Sequence, residues 1–181
     1  MSQLLDRGDE VSLLEVFKAY PAAARPLIAY HEVVMRGPSP LSVADRELIA
    51  AYVSGLNGCG YCHGIHAATA AAFGIDAGLF EALMADSATA PVAARLRPLL
   101  DYVRKVTLTP SRMVRADAEA VYAAGWPEAA LHDAVAVCAL FNFMNRYVDG
   151  LGVSADQTYT AQSAARLHDG GYAGLLAHLP A

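Results

Sequence analysis

The sequence has no cluster of lysine or arginine, and its 13 basic residues are outnumbered by 18 acids. A net charge of -5 without a basic patch lacks the electrostatic footprint that a phosphate backbone requires, so DNA and RNA are not expected partners. No apolar run reaches the roughly 18 residues of a membrane span. The most apolar stretch, Ala134 to Met144, is short and carries Asn142. The opening MSQLLDRGDE sets Asp6, Asp9 and Glu10 where a secretory leader would have basic residues and then an apolar run, so export is not expected and a cytoplasmic location is. Cysteine is sparse. Three residues, two of them close together, point to redox or metal chemistry in a reducing compartment and away from a structural disulfide framework.

Runs of β-branched residues are also scarce, and Ala, Leu, Glu and Arg dominate, which predicts an all-α fold. Pro21, Pro26, Gly37-Pro38, Pro40, Asn57-Gly58, Gly74, Pro91, Pro110, Gly125 and Pro127 divide the chain into about eight helix-sized pieces. With 55% hydrophobic and only 17% charged residues, the chain can fill a large core and keep apolar surface for a homo-oligomer. One domain is expected over 1–181, with N-terminal helices in 1–40, a Cys-x-x-Cys core in 41–90, a second helical half in 91–168 and a tail in 169–181. The tail, with Gly170, Gly171 and Gly174, is expected to be loosely held or used at a subunit contact.

Gly125 reads as a helix C-terminal cap and Pro127 as the first position of the next helix, about Glu128 to Asp149. That helix places Leu131, Val135, Cys138, Phe141 and Val148 on one apolar stripe, so Cys138 is expected in the core. Asn145 and Arg146 on the same helix are polar groups in need of partners, and are expected to support the site from behind or to be structural.

The informative stretch is Asn57-Gly58-Cys59-Gly60-Tyr61-Cys62-His63-Gly64-Ile65-His66. Asn57 reads as an N-cap, with a helix from about Gly58 to Phe73. At about 100° per residue, Cys59, Cys62 and His66 share one face, with the thiols one turn apart and His66 one turn beyond Cys62. A thiolate is the nucleophile, and an ordinary thiol pKa of about 8.5 leaves only a few per cent ionised near neutrality. The helix dipole favours Cys59, and His66 is the expected activator of Cys62.

Lowering the pKa to about 6 yields roughly 30-fold more thiolate, but intrinsic nucleophilicity falls by about 10- to 18-fold. The larger gain must come from an acid that protonates the departing oxygen, with a relay to renew its proton. Glu47, in the amphipathic segment Ala44 to Val53, is the candidate carboxylate. One straight helix would hold it about 18 Å from Cys59, so the chain has to turn at Gly55 to Gly58. Taken alone, Glu47 would be a solvated acid.

The pattern Glu47-x11-Cys59-x2-Cys62-x3-His66, preceded by Leu41-Ser42 and followed by an Ala-rich helix, resembles the core motif of alkylhydroperoxidase D-like (AhpD-like) proteins in the carboxymuconolactone decarboxylase superfamily. Pro21 to Pro40, including Val33 to Pro38, and the later Phe141 to Arg146 with Asp149 to Gly152 resemble its "peroxidase-related" branch. The resemblance implies an AhpD-like helical bundle and reduction of an alkyl or hydrogen peroxide. It implies Cys62 as the peroxidatic residue, Cys59 as proton donor and disulfide partner, and His66 and Glu47 as the relay. It implies no cofactor beyond a redox-active Cys59–Cys62 disulfide, reduced by an external dithiol, lipoyl or thioredoxin-like partner. Tyr61 stands where the well-studied pattern has His, and His63 is an extra histidine; both are supporting candidates.

Three alternatives accompany this reading. Cys59-Gly60-Tyr61-Cys62-His63 also matches the c-type haem attachment signature, although attachment normally needs export. Cys59, Cys62 and His63 or His66 could hold zinc, although no fourth ligand or knuckle is evident. A decarboxylase-type or inactive superfamily member is the third.

Overall fold

The computed structural model describes residues 3–4 and 11–180 and is helical throughout, with no strand among the described residues. Nine α-helices follow in order among them: α1 (Leu13–Ala19), α2 (Pro21–Arg36), α3 (Val43–Leu56), α4 (Gly60–Ala72), α5 (Gly78–Ala85), α6 (Arg97–Leu108), α7 (Arg115–Ala123), α8 (Glu128–Leu151) and α9 (Gln157–Gly170). Short 3-10 segments occupy Pro110–Arg112 and Ala173–His178. The count exceeds the expected eight because α1, α5 and α7 are helices of only 7, 8 and 9 residues. Pro26 does not divide the chain: α2 runs through it, and its ring is accommodated inside a continuous helix.

The centre of the fold is α3. Its start is fixed by a reciprocal cap, in which the Ser42 hydroxyl accepts the Asp45 N–H and the Asp45 carboxylate accepts the Ser42 N–H. Every residue from Arg46 to Ser54 is buried, because α2, α4, α5, α6 and α8 all pack against this helix. The expected amphipathic segment is therefore enclosed on all sides, as a helix at the middle of a bundle must be. Glu47 is consequently not a solvated acid; it is fully buried and has to find partners inside.

The turn that the Glu47 argument required is present, but Asn57 plays the opposite role to the expected one. It is the C-cap of α3 in a helical conformation. Gly58 follows at φ 74, the Gly58 N–H bonds the Gly55 carbonyl at 3.0 Å, and the Cys59 N–H bonds the Ser54 carbonyl at 3.0 Å. This is a Schellman closure, which needs a left-handed residue and so favours glycine. Cys59, not Asn57, is then the N-cap of α4, which begins at Gly60. The chain reverses within Asn57-Gly58-Cys59, and α4 folds back along α3.

Gly125 ends α7 through the same kind of closure at φ 86, as expected. Pro127 is the N-cap of α8, one residue ahead of its expected place, and α8 continues two residues past Asp149. Cys138 is fully buried, as expected. The tail is not loosely held as far as Pro180. Gly171, at φ 61, turns the chain so that the Tyr172 and Ala173 N–H groups both reach the Glu32 carboxylate, at 2.7 and 2.8 Å, and Tyr172 is buried. Among the described residues no helix is long and apolar enough to cross a membrane.

Candidate functional site

Glu47 carries a charge into the core and each of its oxygens is engaged. Oε2 accepts His66 Nδ1–H at 2.7 Å from α4, and Oε1 pairs with Arg36 Nη1 at 2.7 Å from the last turn of α2. The Tyr172 hydroxyl also approaches Oε1, at 3.5 Å. Burial alone would raise the carboxyl pKa, but the charges and hydrogen bonds of His66 and Arg36 outweigh it, and the net direction is downward. Glu47 thus stays a carboxylate, and it fixes the orientation of His66 through Nδ1. Arg36 is held in turn by the Leu167 carbonyl at 2.9 Å and by the face of Tyr172.

The two thiols are buried, reduced and in mutual hydrogen-bonding contact at the start of α4. Contact with the Cys62 S–H lowers the Cys59 pKa, against opposing effects of burial and of Asp149. For Cys62 the contact with Cys59 works the other way, burial adds to it, and the pKa is raised well above the ordinary value. The pair therefore loses its first proton at Cys59, the residue on the N-cap where the helix field is strongest. Asn145 is the group that favours a thiolate at Cys62. Its Nδ2 also donates to Ser54 at 3.0 Å, while its Oδ1 accepts from Asn57 Nδ2 at 2.8 Å. A buried amide with two donors and one acceptor is thus fully used.

His66 differs from its expected role as a direct partner of Cys62. It is tied to Glu47, and no hydrogen bond joins it to either sulfur among the described residues. The link between them is a shared cavity of about 80 Å³, bordered by Cys62, His66, His31, Tyr61, Phe141 and Tyr172. Further walls come from apolar side chains of α1, α2 and α9, so the space in front of Cys62 is largely apolar.

The remaining candidates separate clearly. Tyr61 borders the cavity, and its hydroxyl bonds the Tyr159 hydroxyl at 3.2 Å. His63 turns away from it: Nδ1 bonds the Ala51 carbonyl at 2.9 Å and the ring packs edge-on against Phe80. Arg146 is exposed and folds back onto the Asn142 carbonyl at 2.6 Å. Neither His63 nor His66 joins the thiols, and among the described residues no three His, Cys, Asp or Glu side chains are grouped to hold a metal ion.

Sequence reasoning missed Arg36, Tyr172, Asp149 and His31. The available signals were faint: an arginine closing an apolar helix before Gly37, an aromatic directly after Gly170-Gly171, and a histidine in the apolar stripe Ala24, Ile28, His31, Met35.

With the fold and this arrangement in view, the chain compares with known proteins as follows. The family model of the carboxymuconolactone decarboxylase family matches residues 21–105, which span α2 to α6 and all of the Glu47, Cys59, Cys62 and His66 motif. A peroxidase-related protein of uncharacterised function from Silicibacter sp. TM1040 superposes with a TM-score of 0.77 at 29% identity, covering 83% of this chain and 79% of that one. An uncharacterised peroxidase-related protein from Ralstonia eutropha JMP134, described as an alkylhydroperoxidase AhpD core, gives 0.75 at 24% identity over 82% and 78%. A protein of unknown function from Agrobacterium tumefaciens, named as a candidate antioxidant defence protein AhpD, gives 0.67 at 21% over 81% and 99%. The last two comparisons bear on the fold alone. No curated protein matches the chain. Residues 21–105 of the chain thus match the carboxymuconolactone decarboxylase family, and its fold is similar to that of the peroxidase-related protein from Silicibacter.

Proposed function

We propose that the protein is a thiol-dependent peroxidase that reduces an organic hydroperoxide through Cys62 and Cys59. The observation that carries this is the pairing of two buried thiols with a Glu47–His66 dyad around one apolar cavity into which Cys62, and not Cys59, opens. An apolar wall favours an alkyl hydroperoxide over hydrogen peroxide.

The reactive form of the pair is the one that has lost its first proton, from Cys59, and keeps the second on Cys62. Passing that proton from Cys62 to Cys59 creates the Cys62 thiolate and, in the same move, arms Cys59 as an acid. Cys62 attacks the terminal peroxide oxygen; the S–O bond forms, the O–O bond breaks, and Cys59 protonates the departing alkoxide. The Cys59 thiolate then attacks the Cys62 sulfenic acid and closes the disulfide. The hydroxide released takes its proton through His66, whose charge Glu47 balances. One thiol, one thiolate, one hydroperoxide and the proton delivered through His66 thus become a disulfide, an alcohol and water.

An external dithiol restores the pair, in keeping with a site that needs no other cofactor. We place the activity in the cytoplasm. Self-association is part of the proposal, because Tyr30 and Val33 on α2 and Phe143 on α8 are large apolar side chains at least half exposed; sedimentation of the purified protein tests it. The central experiment mixes reduced protein with cumene hydroperoxide in a stopped-flow instrument and follows both cysteines by mass spectrometry. A Cys59–Cys62 disulfide in wild type and a trapped sulfenic acid on Cys62 in Cys59→Ser are expected. Free thiols after exposure to excess hydroperoxide would refute the assignment.

A further inference from the structure

His31 is a buried histidine that the proton relay does not use. Its Nδ1 lies 2.8 Å from the Leu27 carbonyl, an atom that can only accept, so the ring proton sits on Nδ1 and Nε2 is a bare acceptor. No hydrogen bond to Nε2 occurs among the described residues. The ring is 5% exposed and borders the cavity in front of Cys62, tilted against Tyr172 at 5.2 Å and edge-on to Phe141 at 6.3 Å. His66 packs edge-on against the same Phe141 ring at 4.5 Å, so the two imidazoles flank one aromatic wall.

Most other polar groups of the cavity are already engaged. The Tyr61 and Tyr159 hydroxyls bond each other, Ser163 accepts from Arg166, and the Tyr172 hydroxyl and His66 Nδ1 face Glu47. A buried acceptor left unmet beside a reactive thiol, in an otherwise apolar space, marks where a ligand presents a hydrogen. Burial lowers the His31 pKa from 6.5 to about 4, helped by the neighbouring His66, against the opposing effects of the Leu27 carbonyl and Glu47. The ring therefore stays neutral, and Nε2 stays an acceptor, at any pH near neutrality.

We infer that His31 Nε2 accepts the hydroxyl hydrogen of an organic hydroperoxide and thereby turns its terminal oxygen towards Cys62. This rests on the peroxidase reading of the site and adds a substrate contact to it. The chemistry balances without proton transfer to His31: the terminal oxygen keeps its hydrogen and becomes the sulfenic O–H, and the alkoxide takes its proton from Cys59. An O–H donor on the ligand is thereby a requirement, and dialkyl peroxides are excluded.

The test compares wild type, His31→Phe and His31→Gln in two reactions of the reduced protein. One uses cumene hydroperoxide; the other uses methyl methanethiosulfonate, a thiol reagent with no hydroxyl to present. His31→Phe is expected to slow the hydroperoxide reaction about tenfold and leave the thiosulfonate reaction unchanged, whereas His31→Gln, whose amide oxygen still accepts, recovers part of the loss. A hydroperoxide rate at the wild-type level in His31→Phe, or equal slowing of both reagents, overturns the inference.

A second measurement needs no variant. Titrating ¹⁵N-histidine-labelled wild type with cumyl alcohol is expected to shift His31 Nε2 and leave Nδ1 in place, and a saturating alcohol that moves neither nitrogen counts against the contact. A wild type inert to hydroperoxide that still shows the alcohol shift would remove the peroxidase reading while keeping His31 as the hydroxyl acceptor.

Discussion

Two buried sulfurs lie along one face of α8, about two turns apart: Cys138, which belongs to that helix, and Cys62, which reaches it at Asn145. Exposure does not distinguish them, at 0% and 3%. Their neighbours do. Cys138 meets the Thr107 hydroxyl at 3.3 Å, the Val103 carbonyl at 3.5 Å and the Asn142 amide at 3.5 Å, much as Cys62 meets the Asn145 amide, but it has no second thiol and no place on the cavity wall. Cys62 has a second thiol to exchange a proton with and open space in front of it. Burial raises the pKa of both, so the capacity for chemistry comes from what surrounds a sulfur rather than from how deeply it is set.

The sharpest way to break this comparison is to exchange the sulfurs for oxygen one at a time. Cys62→Ser is expected to lower the rate of hydroperoxide consumption by at least about a thousandfold, since a serine hydroxyl is not ionised near neutrality. A coupled assay of hydroperoxide loss with a dithiol reductant measures it. If Cys62→Ser retains activity and Cys138→Ser does not, the two sulfurs have been assigned the wrong way round.

Next in size is the charge behind the site. Glu47→Gln keeps the shape but leaves Arg36 as an uncompensated charge in the core, and is expected to cost about 3 kcal/mol in a urea titration. The rate should fall about a hundredfold with it, because His66 loses the partner that sets its orientation and supports its charge. Near-normal activity in a protein destabilised by that amount would detach the carboxylate from the relay and leave it a structural ion pair.

Acid should weaken the Cys62 side of the molecule through two groups, and the sign is the same for both. His31 has its folded pKa lowered to about 4 from 6.5, so between those values the unfolded chain binds a proton that the folded one does not, and stability falls as pH drops through that window. The full effect is about 3 kcal/mol. Glu47, also lowered by folding, contributes stability above its ordinary value of 4.5 and loses it as pH falls further. Unfolding free energy measured by urea titration should therefore decline from about pH 6.5 and steepen below about 4.5, and His31→Phe should remove the first limb while keeping the second. A flat profile between those values would show that His31 is not held neutral.

The motif side of this contrast was legible in the sequence for a physical reason. Cys59, Cys62 and His66 are separated by one turn each, and local helix geometry governs such spacings; Glu47 needed only one added turn of chain to reach His66. Asn57-Gly58 was misread because an asparagine before a glycine suits a helix start and a helix end alike, and only the backbone bonds from Gly58 and Cys59 to α3 decide between them. Pro26 was misread because tertiary packing holds α2 together across it. Arg36, His31 and Tyr172 come from outside the motif, Tyr172 from 125 residues beyond Glu47, and no rule about neighbours on one helix can bring them to the site. Their presence follows from the packing of α2 and the tail around α3.

The smallest expected effect lies on the other sulfur and is the control that gives the comparison its meaning. Cys138→Ala removes one sulfur from a close-packed site and is expected to cost about 1 kcal/mol. The loss stays small because the surrounding polar groups keep partners: the Thr107 hydroxyl still donates to the Val103 carbonyl at 2.8 Å, and the Asn142 amide still donates to the residue-138 carbonyl at 3.0 Å. Asn142 also accepts from Asn57 at 3.2 Å, so the support that reaches from α3 to α8 survives the change. Hydroperoxide turnover should stay within about twofold of wild type, as measured by the same coupled assay. A large loss of turnover with the fold intact would mean that the asparagines carry the state of Cys138 to Cys62, and the two sulfurs would then be one system instead of two.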